Sequence, residues 1–470
     1  MSLLKSKAPR IREKRLDTLN AWLGSAEAAI REFSGEETVQ RIRTFSQSSQ
    51  DDLIQALRLL AGIRESVVIV HAPRGCGAAG LYHRVTSGRG RWIVTNLDQK
   101  DTIMGADRKL RKAVTGAYRQ YRPEVIFIVA GPVAAINNDD IQTVVDELHE
   151  ELELPIVPVY VTGFASRNAV TGYDTALHAI LKHLVGTRGD VERNTKVNLL
   201  SVVEHPGDRA EAERILALLG VEPNLLPDGA SPATFRLAAG ARFSFSLDQD
   251  SENYLGVILR DVYGVPYVEQ PRPVGVEATG RWLAAAGRAL GQDEAARAYH
   301  LQESERVRRV LGDFSLAGLR VYLALPPATA LAVADLVGEF GGEVAGITVG
   351  HLGKLQVTQL RSLSEKHPSL QVHVGDGQPF EELNIVRRLA PDLYIGDGAH
   401  VAQAARLGIP VVSLENVPVL GYAGVTALAQ RIAAALNNRA FTASLAGIRT
   451  PYSDAWLNRS PNWHIKKEVK

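Results

Sequence analysis

One pattern occurs three times along the 470 residues. Leu148 to Tyr160 reads LHEELELPIVPVY, Leu259 to Gln270 reads LRDVYGVPYVEQ, and Ala404 to Glu415 reads AARLGIPVVSLE. Each is a helical stretch, a short break, an aliphatic residue, a proline and a β-rich apolar run. Pro155, Pro266 and Pro410 open those runs, where a strand can forgo its first ladder donor. A loop, a glycine and an amphipathic helix follow in every copy: Gly172-Tyr173 before TALHAILKHLV, Gly275-Val276 before GRWLAAAGRAL, Gly421-Tyr422 before ALAQRIAAAL. Three copies spaced this widely predict three related α/β units rather than one core.

The runs between the copies fit that reading. Val67–Val70, Trp92–Thr95 and Val125–Val129 are short apolar segments separated by helical stretches, as are Val197–Val203 and Phe243–Phe245. Val321–Leu325, Val344–Val349, Val372–Val374 and Leu393–Ile395 repeat the alternation in the last third. Continuous apolar strands separated by helices belong to parallel sheets covered on both faces. The expected fold is therefore α/β: three Rossmann-like doubly wound domains with parallel sheets, plus an N-terminal helical arm. Polar and glycine-rich breaks at Thr187–Thr195 and Gly312–Gly318 divide the chain into an extension (1–45), a first domain (46–190), a second (191–315) and a third with a tail (316–470). Within the extension, Leu16, Leu19, Trp22 and Leu23 predict one apolar face of a helix over Glu13–Phe33.

Charge narrows the function. Lys plus Arg is 53 against 52 for Asp plus Glu, a balance that argues against a bulk electrostatic nucleic-acid binder. No apolar run reaches membrane-spanning length, and the basic start lacks the apolar centre of a secretory signal. One cysteine, Cys76, excludes an internal disulfide and a Cys/His zinc cluster, and fits a reducing, cytoplasmic setting. No G-x-x-x-x-G-K-[ST] loop, H-E-x-x-H helix or G-x-S-x-G elbow occurs.

In open parallel sheets ligands bind beyond the carboxyl ends of strands. The first strand runs into His71-Ala72-Pro73-Arg74-Gly75-Cys76-Gly77, so the sole cysteine lies between glycines in such a loop. Glycine admits close approach of a bulky group, and Pro73 stiffens the entry. The thiol reads either as a metal ligand flanked by Pro73, Gly75 and Gly77, or as a small buried side chain. The loops after the second and third strands, 95–106 and 130–141, read as capped helix starts. Gly375-Asp376-Gly377 and Gly396-Asp397-Gly398 read as strand-end turns.

Together these segments resemble a family. HAPRGC at 71–76 resembles the H-[GA]-x-x-G-[CD] element of nitrogenase component 1 subunits, and TNLDQKDTIMGADRKL at 95–110 is similar to that family's T-D-L-x-E-x-D stretch. Gly131 to Ile141 resembles its C-P-x-x-x-I-G-D-D-I segment, Pro155 to Phe164 its P-V-x-x-V-x-x-x-G-F segment, and Gly421 to Gly424 its G-Y-x-G element. The resemblance implies three Rossmann-like domains.

Departures from the family pattern imply the kind of member. Catalytic subunits supply three cysteines each to the interfacial cluster; here only Cys76 remains, Gly131 stands at the third position, and Ser46–Asp51 holds no cysteine. The middle domain has no cysteine and Leu420 precedes Gly421, so the large active-site cofactor of the family lacks its ligands. The resemblance thus implies a β-like subunit giving one cysteine to a [4Fe-4S] cluster shared with a cysteine-rich α-like partner, in an α2β2 assembly. Electrons would come from a separate P-loop, ATP-dependent iron–sulfur reductase. An oxidoreductase subunit is the leading expectation, ahead of a scaffold for metallocluster assembly and of a cluster-less structural or regulatory relative.

Overall fold

The computed structural model describes residues 17–35, 38–47, 51–82, 91–161, 163, 168–186, 191–201, 205–248, 253–415, 417–447 and 454–467. Three parallel sheets organise them. In the first, Arg91–Val94, Ser66–His71, Val125–Ala130 and Ile156–Tyr160 lie side by side. In the second, Pro223–Pro227, Val197–Ser201, Phe243–Ser246 and Tyr267–Val268 are wound in the same order. The third places Gln371–Val374, Glu343–Val349, Arg320–Ala324, Leu393–Gly396 and Val411–Ser413 in sequence, also parallel.

The three prolines of the repeat sit just before Ile156, Tyr267 and Val411. Each lacks a donor but still offers a carbonyl: Ile126 N–H donates to Pro155, Ser244 to Pro266 and Tyr394 to Pro410, at 3.1, 2.8 and 2.9 Å. The helices after the repeats are Thr171–Ile180, Val276–Leu290 and Gly421–Asn437. Their glycines answer to different demands. Gly275 and Gly421 have φ of +100° and +65°, which disfavours a β-carbon. At Gly172 a β-carbon would lie 2.0 Å from the Asp52 carbonyl oxygen, so the two helices meet backbone to backbone.

Alternation along each strand loads both faces. Val68 and Val70 join Leu53, Leu57 and Leu60 in one buried cluster, whereas Val67 and Ile69 join Leu110, Val114 and Leu148 in another. The first cluster continues into Leu200, Leu226 and Phe235 of the second unit, and Leu199 and Phe245 share a core with Leu323 and Ile347 of the third. The units are therefore fused by shared apolar cores.

One expectation changes and one unpredicted strand is added. The helix predicted over Glu13–Phe33 is replaced, within the described residues, by strands Thr18–Leu19 and Trp22–Ser25 and a short helix, Ala26–Glu32. Trp22–Ser25 runs antiparallel along Gln371–Val374. An exposed sheet edge leaves backbone groups unpaired, and satisfying that edge overrides a local apolar period while still burying Leu19 and Trp22. The strand Pro223–Pro227 was hidden by its prolines; it lies at a sheet edge, where they are tolerated. Residues 187–190 of the first predicted break lie outside the described residues. At the second, Gly312 ends the helix Asp293–Leu311 before Arg320 opens a strand.

Candidate functional site

In the first sheet the connections leave Ser66–His71 and Val125–Ala130 toward opposite edges, so the loops behind these neighbours diverge and open a crevice. Hydrogen bonds fix that crevice. Leu97 N–H donates to the Ala72 carbonyl and Gly131 N–H to that of His71, both at 3.1 Å. Beneath them His71 Nε2 lies 3.2 Å from Asp139 Oδ2; burial lowers the imidazole's pKa and raises that of the carboxyl.

Cys76 sits in the helix Arg74–Tyr82 that leaves this crevice, half-buried, with its amide donating to Pro73. It packs against the same buried apolar cluster as Trp92 and Val94. Burial, and then the charge of Asp51, raise the thiol's pKa. Asp51 caps the helix Asp52–Ala61 by accepting from Ile54 N–H at 3.0 Å. The loops converge tightly: a β-carbon on Gly131 would lie 2.7 Å from the Ala72 β-carbon, and one on Gly163 would lie 2.8 Å from Pro132 and 3.4 Å from Asp51. Where the sequence predicted a loop, Cys76 lies in the first turn of a helix, and Asp51, that turn and Gly131-Pro132 gather at one place.

The two glycines differ. Gly75 faces open space, whereas a β-carbon on Gly77 would lie 2.2 Å from Val94 Cγ2, which gives Gly77 a helix–strand packing duty. Among the described residues no group of three His, Cys, Asp or Glu side chains converges to hold a metal ion. Cys76 is thus the one thiol at this crevice, and because its pKa is raised, a metal ion binding there would have to draw off its proton by its own charge.

A cleft of about 970 Å³ opens beside this crevice, where the carboxyl ends of all three sheets meet. Asp51 lines it from the first unit, Asp208 and Arg272 from the second, Thr348, Glu382 and His400 from the third, and Arg43 from the N-terminal segment. Below its floor lie buried charges. Glu381 takes Arg43 Nε at 2.8 Å, His373 Nε2 at 2.7 Å and His464 Nε2 at 2.5 Å. Burial alone would raise its pKa, but the bonds from His373 and Arg43 bring it down to about 2. Its neighbour Glu382 accepts from His400 at 2.9 Å and from the Tyr394 hydroxyl; these bonds likewise outweigh burial and lower its pKa, while raising that of His400.

None of these groups stood out in the sequence. Glu381-Glu382 reads as an acidic helix start, and residues 43, 373, 400 and 464 are brought together only by the winding of the chain. Leu420, next to Gly421, is buried, and its amide and that of Val419 both donate to Asp208 Oδ1, at 2.8 and 2.7 Å.

A family profile described as nitrogenase component 1 type oxidoreductase matches residues 52–437, and the chain belongs to that family. It is similar to the nitrogenase iron-molybdenum cofactor biosynthesis protein NifE of Methanococcus maripaludis, 23% identical over 386 residues that cover 78% of each chain. It is also similar to the nitrogenase molybdenum-iron protein alpha chain of Methanothermobacter marburgensis, 24% identical over 409 residues, covering 81% of this chain and 85% of that one. Among solved structures, a nitrogenase Cp1 at pH 5 superposes with a TM-score of 0.74 at 18% identity, covering 92% of this chain and 96% of the other. The mixed α/β fold with parallel sheets is thus the nitrogenase component 1 fold. No described helix is long and apolar enough to cross a membrane.

Proposed function

We propose that the chain is a subunit of a nitrogenase-like reductase complex and gives Cys76 to an iron–sulfur cluster, of [4Fe-4S] type, shared with a cysteine-rich partner. The observation that carries this is the gathering of the only thiol, Asp51 and Gly131-Pro132 at the first switch point, the positions where family members place cluster ligands. A four-iron cluster calls for four ligands, so the remaining ones come from a second chain, in an α2β2 complex served by a P-loop, ATP-dependent iron–sulfur reductase in the cytoplasm. When bound, the cluster supplies one-electron transfer; this chain's part is to hold one corner and to form the wall between it and the cleft, where Asp51 borders both. The three parallel sheets are read as three Rossmann-like domains with bounds near 46–190, 191–315 and 316–470, supported by the shared winding of the first two.

Anaerobic co-purification with the partner tests this. Iron and sulfide should be present in the wild-type complex and lost in Cys76→Ala; unchanged iron in that variant overturns the assignment. A second reading, a scaffold on which a metallocluster matures, is favoured by the NifE relatives. Transfer of a cluster from the complex to an apo-acceptor, without reduction of a substrate, would select it. An iron-free complex purified without oxygen would select a cluster-less relative.

A further inference from the structure

The first and second units share one apolar core and the second and third another, but among the described residues no buried apolar cluster joins the first to the third. Those two face each other across the cleft, and the chain itself spans the gap. It leaves the helix Ala26–Glu32, whose Ala26 and Ala29 lie in the third unit's core, and reaches the first unit at Asp51, the cap of Asp52–Ala61. Residues 38–47 run between these points as a strap, and Arg41, Ile42, Arg43 and Ser46 of it line the cleft.

The strap is built inside out. Its large apolar residues, Val39, Ile42 and Phe45, are exposed, and none of them belongs to a buried apolar cluster. Phe45 meets Trp456 at the surface, with ring centroids 5.5 Å apart. What holds the strap is polar. Its Thr44 amide donates to the His464 carbonyl at 2.9 Å, its Gln47 amide donates to Gln378 Oε1 at 3.2 Å, and Arg41–Arg43 pairs with Ile465–Lys467. Water can take over each of these bonds when the strap lifts, so each holds it weakly. A segment with exposed hydrogen bonds and few apolar contacts opens at low free energy. Arg43 is the exception. Its side chain is 10% exposed, and its Nε and Nη2 donate to Glu381, 1% exposed, at 2.8 and 3.0 Å. Arg43 also donates to the carbonyls of Val374 and Asn20.

We propose that residues 38–47 are a releasable strap, latched by Arg43 on Glu381, whose opening lets the first and third units part and admits a polar guest too bulky for the closed mouth of the cleft. The guest is polar because charged side chains from all three units line the space. Closed, the strap holds the two units at their present separation and supplies part of the wall. Released, it peels from Ile465–Lys467 but stays tethered to both units, so it can settle again over the guest. Arg43 sets the balance because it is the one strap residue whose charge is paired in a buried place. The device is independent of what Cys76 binds.

The test uses the full-length chain carrying Thr329→Cys, a buried position on the cleft wall, together with Cys76→Ala. Modification at residue 329 is followed by peptide mass with two probes, methyl methanethiosulfonate and a bulky maleimide dye. The small probe should react at one rate throughout. The dye should react roughly tenfold faster in Arg43→Met, which loses charge-assisted hydrogen bonds, and by a smaller factor in Arg43→Lys, which keeps the charge but not the fork. Ile42 and Lys466 are exposed and directly opposite in the antiparallel pair, a spacing that suits a disulfide. Oxidised Ile42→Cys with Lys466→Cys should slow the dye roughly tenfold, by the same latch arithmetic, and this variant decides the matter even where Arg43→Met does not fold. A dye rate that is equal with the strap pinned and free overturns the inference. So does a rise in Arg43→Met that the small probe shares, which would mark general loosening. Neither probe senses iron, so the Cys76 assignment stands or falls separately.

Discussion

Asp52 opens the helix Asp52–Ala61 with its carboxyl buried and Oδ1 without a hydrogen-bond partner. Burial and then the charge of Asp51 raise its pKa from 3.8 to about 6. The folded state therefore binds this proton more tightly than the unfolded chain, and stability falls as pH rises from 3.8 to about 6. That difference in proton affinity corresponds to ~3 kcal/mol. Asp52→Asn should accordingly be more stable than wild type in urea at pH 8, with the advantage gone near pH 4; equal gains at both pH values would show that burial of charge is not the cause. Neighbouring positions in the Cys76 helix separate chemistry from packing. Cys76→Ala, at a half-buried site, should keep its urea midpoint close to wild type while losing iron. Gly77→Ala, which drives a methyl into Val94, should cost about 1–3 kcal/mol. The place of Cys76 just beyond a strand's carboxyl end was legible because the apolar run Val67–Val70 leads directly into it. Thr348 and His373 were not, because an ordinary apolar strand carries each of them and only the parallel pairing of Gly346–Val349 with Gln371–Val374 brings them together.

Among the elements, the segment Arg41–Arg43 is held on both sides. It pairs antiparallel with Ile465–Lys467 near the C-terminus, and Arg43 reaches inward to Glu381, which also takes His464. Phe45, Phe380, Trp456 and Trp463 pack around this junction with ring centroids 5.2 to 5.8 Å apart. Because Glu381's pKa is lowered from 4.5 to about 2, its stabilisation is complete above pH 4.5 and lost as pH falls toward 2. Glu381→Gln, which leaves Arg43 buried without its anion, should cost ~3–5 kcal/mol at neutral pH. Hydrogen exchange should rise in Arg41–Arg43 and Ile465–Lys467 but not in the first sheet; uniform acceleration would contradict a local junction. Most of the parallel strands could be read from the sequence because burial on both faces makes them largely apolar; Pro223–Pro227, masked by its prolines at a sheet edge, was the exception. The antiparallel additions could not: their partners lie hundreds of residues away and their own pattern is weak.

Across the whole molecule the three units do not behave as beads. Apolar cores run from the first into the second and from the second into the third, and Asp208 of the second unit accepts from the Val419 and Leu420 amides that begin the long helix Gly421–Asn437 of the third. Asp208→Ala should cost ~3–6 kcal/mol through two lost hydrogen bonds to a charged group. Calorimetry should show one transition in wild type; two resolved transitions would refute fused cores. The last sheet has a further consequence for biosynthesis. Its outer strand, Trp22–Ser25, leaves the ribosome roughly 350 residues before its partner Gln371–Val374, on the order of half a minute at typical translation speeds. For that interval the outer edge of the last sheet has no strand to mate with, so the sheet can close only after residue 374 has emerged.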